Sequence, residues 1–134
     1  MLDKDIDLIA IATQSSILIF DSNFSFQTII EIGAGIERVV FCYYHIVALM
    51  IAEDQIYVVG YQIGDWQELG MYQTEKEGQS KVVLRTDNDS VYLGVGIKLY
   101  KLLIPNMQSL FVIESEHQAP IIDITVTPQA IVTT

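Results

Sequence analysis

Few side chains in this chain could do chemistry together, and each group that could falls short of a reactive set. Two histidines and one cysteine are its whole supply of imidazole bases and soft metal ligands. His45 ends a Tyr43-Tyr44-His45 run between two apolar segments. A catalytic or metal role there needs partners that only His117 and Cys42 could supply, so a turn or interface histidine is the expected reading. His117 follows Glu114-Ser115-Glu116. Those carboxylates could hold a divalent ion, but a solvated acidic connector accounts for the same residues. Asp87-Asn88-Asp89 begins like an oxygen-ligand calcium loop, which needs glycine at its sixth position and glutamate at its twelfth. Tyr92 and Lys98 stand there instead, so these are Asx residues of a hairpin turn. Gly33-Ala34-Gly35 and Gly94-Val95-Gly96 lack the spacing of a phosphate loop and open no helix. No Ser/His/Asp or Cys/His set has enough members for nucleophilic catalysis, and the carboxylates are scattered. The chain is expected to be no enzyme, with no catalytic residue, cofactor or metal.

What remains is binding. Asp65-Trp66 opens an apolar run that reads as an outer, half-exposed strand, and tryptophan is enriched at interaction hot spots. The competing reading makes Trp66 the packing equivalent of Phe26 and Met107. Together with the Tyr44-His45 turn, Asp65 and Trp66 are the candidate partner-binding residues. The formal net charge is −10, from 17 acidic and 7 basic residues. Nucleic acid and anionic membranes both need local positive charge, so neither is an expected partner. Protein partners, basic ones above all, fit this surface. One cysteine cannot form an internal disulfide, and the acidic start Met1-Leu2-Asp3-Lys4-Asp5 lacks the features of a secretion signal. The apolar stretch from 36 to 52 contains Glu37, Arg38 and His45 and is no membrane span. A cytoplasmic or nuclear setting is expected.

The elements that must position these residues repeat. Phe26-Gln27-Thr28-Ile29-Ile30-Glu31-Ile32 recurs as the runs opened by Trp66-Gln67 and Met107-Gln108, at offsets of 40 and 41 residues. Upstream, Ile17-Leu18-Ile19-Phe20 recurs from Ile56 and Ile97, at offsets of 39 and 41. Two motifs moving in step indicate one structural unit copied along the chain. Short β-branched and small apolar runs, such as Leu8 to Thr13, Ile46 to Ile51 and Val91 to Val95, are bounded by polar turns. Four short strands in about 40 residues describe a β-propeller blade, which covers its faces by stacking on its neighbours. The expected fold is all-β, a partial propeller of four-stranded antiparallel blades, with blade equivalents at 8–32, 36–73 and 80–114 and a partial one at 119–134. Leu110 is expected in its core.

From Lys81-Val82-Val83-Leu84 through Thr86-Asp87-Asn88-Asp89-Ser90 to Val91-Tyr92-Leu93-Gly94-Val95-Gly96 and Ile97-Lys98-Leu99-Tyr100, the chain resembles the first three strands of a WD40 repeat. The Gly-His that opens such repeats is absent. Asp21, Gly60-Tyr61 and Lys101 stand where their Trp-Asp would be. The resemblance implies a non-catalytic scaffold within a larger assembly. Ile36-Glu37-Arg38-Val39-Val40-Phe41 with Ile46-Val47-Ala48-Leu49 also resembles a blade of the autophagy-related phosphoinositide-binding propellers. Their paired arginines are missing, since Arg38 and Arg85 stand alone. That resemblance implies lipid binding as the alternative. Propellers close with typically four to eight blades. The chain is therefore expected to be part of a longer protein, or to associate with copies or companion blades.

Overall fold

The computed structural model describes residues 7–33, 35–42, 44–76, 81–87, 90–103, 107–114, 121, 123–126 and 131–133, with backbone alone for 108, 110–114, 125, 126 and 131–133. Expectations placed on Ala34, Tyr43, Asn88, Asp89, Glu116, His117 and the side chains of Leu110 and Glu114 lie outside the described residues. Among those described, the chain is all strand, and no helix is long and apolar enough to cross a membrane.

The first sheet is an antiparallel meander of β1 (Leu8–Ala12), β2 (Ser16–Asp21) and β3 (Phe26–Glu31). The second holds β4 (Ile36–Cys42), β5 (His45–Ala52), β6 (Gln55–Gln62) and β7 (Glu68–Glu75). The third holds β8 (Val82–Thr86), β9 (Ser90–Val95), β10 (Lys98–Leu103) and β11 (Gln108–Glu114), and the fourth pairs β12 (Ile124–Val126) with β13 (Ile131–Thr133). In the structure β12 begins only at Ile124, although Ile121 is buried.

Side-chain alternation explains how the sheets stack. Successive residues of a strand point to opposite faces. In β5, Ile46, Ala48 and Met50 join Ile17, Ile19 and Ile30 of the first sheet, while Val47 and Leu49 join Leu84, Val91, Leu93 and Leu102 of the third. In the third sheet, Leu93 faces the second sheet, and Tyr92 faces Ile121 and Ile124 next to the fourth. The second strands of the two inner sheets, β5 and β9, are thus buried on both faces, which is why they read as nearly continuous apolar runs. The third sheet packs so closely that a Cβ on Gly94 would lie 3.2 Å from Ile121 Cγ2. Strands β4, β8 and β12 lie side by side along one edge of the stack, with β1 against β4. Sheets packed face to face around a common edge form the propeller arrangement.

The register corrects the sequence repeat. Each complete pairing of third and fourth strands carries a bulge, between Ile19 and Phe20, between Gly60 and Tyr61, and between Lys101 and Leu102. Phe20, Tyr61 and Leu102 are therefore equivalent and lie 41 residues apart. On that register Trp66 and Met107 correspond to Phe24, and Phe26 corresponds to Glu68. The sequence comparison slid the first copy by two residues. A slip of two preserves the inward and outward alternation, so hydrophobic pattern alone could not detect it.

Candidate interaction surfaces

The hairpin turns at one end of the second sheet bring most of the sequence-predicted site residues together. Tyr44 lies in the β4–β5 turn and His45, expected there from the sequence, is instead the first residue of β5; Asp65 and Trp66 lie in the β6–β7 turn, and Ile63 N–H donates to the Tyr44 carbonyl at 3.0 Å. Trp66 lies in this turn and not in a strand, since β7 starts at Glu68. Trp66 N–H donates to the Gln62 carbonyl at 3.0 Å, and the Asp65 carboxylate accepts from Gln67 N–H at 3.1 Å. These bonds fix the turn and leave Trp66 half-buried at φ +60°.

Trp66 forms one wall of a cleft of about 710 Å3 between the first and second sheets, with Asp7, Asp21, Gln27 and Thr28 opposite. Asp21 is held rigidly: Oδ1 accepts from the N–H groups of Asn23 and Ser25, each at 2.9 Å, and Oδ2 from Gln27 Nε2 at 3.3 Å. An aromatic face beside carboxylates suits a Lys or Arg side chain. Asp65, Tyr44 and His45 belong to the same end of the sheet, but they do not line this cleft. His45 Nδ1 is buried with no hydrogen-bond partner among the described residues. Strand register also sets His45 opposite Cys42, a pairing the sequence reading missed. The Cys42 thiol is buried and donates to the Asp87 carbonyl at 2.8 Å, which makes it a link between sheets.

Sequence reasoning missed a second surface. Phe24, Trp66 and Met107 share a left-handed backbone, at φ 64°, 60° and 60°. This conformation costs a non-glycine residue about 1–2 kcal/mol. Met107 is 1% exposed, buried in the cluster between the second and third sheets, and Trp66 packs against the cluster between the first and second. Phe24 is 74% exposed. Around it, the face of the first sheet turned away from the second carries Ile11 beside Leu18, Leu18 beside Ile29, and Phe20 beside Phe26. Ile11, Phe26 and Ile29 are 48%, 56% and 42% exposed. A contiguous apolar face of this kind is a candidate interface. Its sequence signal was a bulky apolar residue at the Trp66 and Met107 position, hidden by the two-residue slip.

Burial sets the ionisation of two tyrosines. Desolvation raises the Tyr61 pKa above its ordinary 10.0, and the Glu68 carboxylate, its cross-strand neighbour, raises it further. Burial first and Tyr100 second raise that of Tyr72, while hydrogen bonds with Ser109 and Thr74 oppose the shift. A phenol is charged when deprotonated, so the folded state keeps these protons to higher pH than the unfolded chain. Their stabilisation is complete below pH 10.0 and is lost as pH rises through the folded values. Unfolding free energy should therefore fall on the alkaline side of pH 10.0. In denaturant melts across that range, Tyr61→Phe should flatten the fall, and an unchanged slope would exclude Tyr61 as its source.

No family model and no curated protein sequence matches the chain. Solved structures do. The chain is similar to Hsv2 from Kluyvelomyces marxianus, with TM-score 0.72 at 16% identity, covering 100% of this chain and 41% of that one. BamB from Moraxella catarrhalis gives 0.73 at 13% identity, covering 98% and 44%. KlAtg21, solved in complex with the coiled coil of AgAtg16, gives 0.70 at 18% identity, covering 95% and 45%. The chain spans less than half the length of each. All three are β-propeller proteins, and at these identities the likeness shows the propeller fold.

Proposed function

We propose that the chain is a non-catalytic protein-interaction scaffold, a propeller segment that docks a further sheet on the outer face of its first sheet and presents the Trp66 turns to a partner. The observation that carries this reading is Phe24. It bears the backbone strain of Trp66 and Met107 without the burial that offsets it. The occupant that suits this face is a propeller-type sheet, supplied by a second copy of the chain. On the same reading the units are WD40-like blades at 8–32, 36–73, 80–114 and 119–134 in a cytoplasmic or nuclear assembly. Tyr44, His45, Asp65 and Trp66 face the partner, whose contact segment is basic.

Phe24→Gly tests the docking face. Glycine adopts φ 64° freely, and an exposed phenyl ring gives little packing to the lone chain. The variant should melt no lower than the native chain in dilute solution, where the native chain should gain stability on concentration and the variant should not. A variant that melts lower at every concentration would mean that Phe24 packs within its own sheet.

The alternative reading, a phosphoinositide-binding propeller, draws on the resemblance of the second sheet's sequence and on the shared fold with Hsv2 and KlAtg21. Against it, Arg85 is engaged by Asp123 at 2.7 Å, and Arg38 has no neighbouring arginine in sequence. Flotation with phosphoinositide-bearing vesicles decides between them: the scaffold reading expects the chain to stay at the bottom of the gradient.

A further inference from the structure

The end of the second sheet opposite the Trp66 turns carries a site of the other charge. Strand β4 starts there and finishes at the Tyr44 turn, with Arg38 paired to Leu49 and Cys42 to His45. Between the second and third sheets at this end lies a cleft of about 390 Å3, whose lining includes Arg38, Lys76 and Lys81. They come from three separate elements: strand β4, the residue after β7 and the residue before β8. Among the described residues none of the three forms an ion pair, whereas Arg85 in the adjoining cleft is bound to Asp123 at 2.7 Å. In a chain with 17 acidic and 7 basic residues, three cations gathered in one cleft are a marked departure from the surrounding surface. Their mutual repulsion is relieved by an anion.

The floor decides which anion. Leu49, Ile51 and Val82 line the cleft and belong to the apolar layer between the two sheets. A free phosphate or a lipid headgroup gains nothing from covering them. A peptide that places an apolar side chain between carboxylates satisfies both the floor and the rim. We infer that this cleft binds an acidic peptide segment, whose carboxylates meet Arg38, Lys76 and Lys81 while an apolar side chain covers the partly exposed Ile51 and Val82. This site stands independently of the Trp66 cleft and of the docking face.

The test is fluorescence anisotropy on the full chain with a short labelled peptide alternating glutamate and leucine, beside a glutamate–serine peptide of equal charge. The glutamate–leucine peptide should bind more tightly, and more weakly as salt is added. The double variant Arg38→Glu, Lys81→Glu should weaken it by about tenfold or more, the scale of losing desolvated charge pairs. Both side chains are exposed, so the variant should keep the native circular dichroism spectrum. Trp66→Ala should leave this binding unchanged, which separates the present inference from failure of the Trp66 reading. Absence of binding, equal binding of the two peptides, or affinity that survives the double charge reversal would overturn the inference. Displacement of the peptide by phosphatidylcholine vesicles carrying a phosphoinositide, but not by phosphatidylcholine alone, would reassign the cleft to a lipid headgroup and overturn it too.

Discussion

Truncating Leu93 to alanine should lower the stability of the chain by about 2–5 kcal/mol, the range for a large aliphatic side chain removed from a well-packed core. Leu93 is fully buried at the middle of β9, between Leu84 on one strand and Tyr100 on the other. Its side chain belongs to the cluster that joins the second and third sheets through Val47, Leu49, Ile56 and Val58. The cavity would therefore open in the layer that holds two sheets together. A domain is stable by only about 5–15 kcal/mol, so this one change removes a large share. Urea melts followed by the emission of the single tryptophan would measure it. Leu18→Ala is the control, because Leu18 is half-buried on the outer face of the first sheet and should cost much less. Equal losses at the two sites would mean that the stacking of sheets has been assigned to the wrong faces.

Trp66→Ala should weaken binding of a lysine–leucine peptide by about 2 kcal/mol or more, roughly thirtyfold, as loss of an aromatic hot spot does. The ring supplies an aromatic face for a cation, and Asp7 and Asp21 supply charge across the cleft. The three hydrogen bonds on Asp21 keep its carboxylate in place before any partner arrives, so little ordering is left to the binding step. Isothermal titration calorimetry on the native chain and the variant provides the check. A loss under about threefold, well short of the hot-spot range, would make Trp66 a packing residue alone.

The strands were legible because sheets covered on both faces are apolar without interruption. The runs around Ile46 and Val91 lie within β5 and β9 for this reason, and the Ile17 run lies within β2, although the first sheet is covered on one face alone. The turn-forming role of Asp87 also fits its place just after β8, where its N–H donates to the Ser90 carbonyl. What stayed hidden depends on register or on contacts distant in sequence. Phe24-Ser25-Phe26-Gln27 offers two bulky residues near one glutamine, and only the bulge at Phe20 shows that the first is the counterpart of Trp66. That ambiguity concealed the outer face of the first sheet. It also put Trp66 at the start of a strand, whereas its left-handed backbone belongs to a turn. Arg38, Lys76 and Lys81 look dispersed along the chain and meet only where the second sheet packs against the third. The juxtaposition of Tyr44 with Ile63 likewise rests on one backbone hydrogen bond between turns that no local pattern encodes.

If the outer face of the first sheet is a docking surface, the solution mass of the chain should report it. Light scattering on a sizing column should be run on the native chain and on the double variant Phe24→Asp, Ile29→Asp, both at high micromolar concentration. Both side chains are exposed, so the variant should keep the native fold. The native protein should show a mass above that of one chain, and the variant the mass of a single chain. A native chain that runs as a monomer, with a mass the two aspartates leave unchanged, would contradict the docking role of that face.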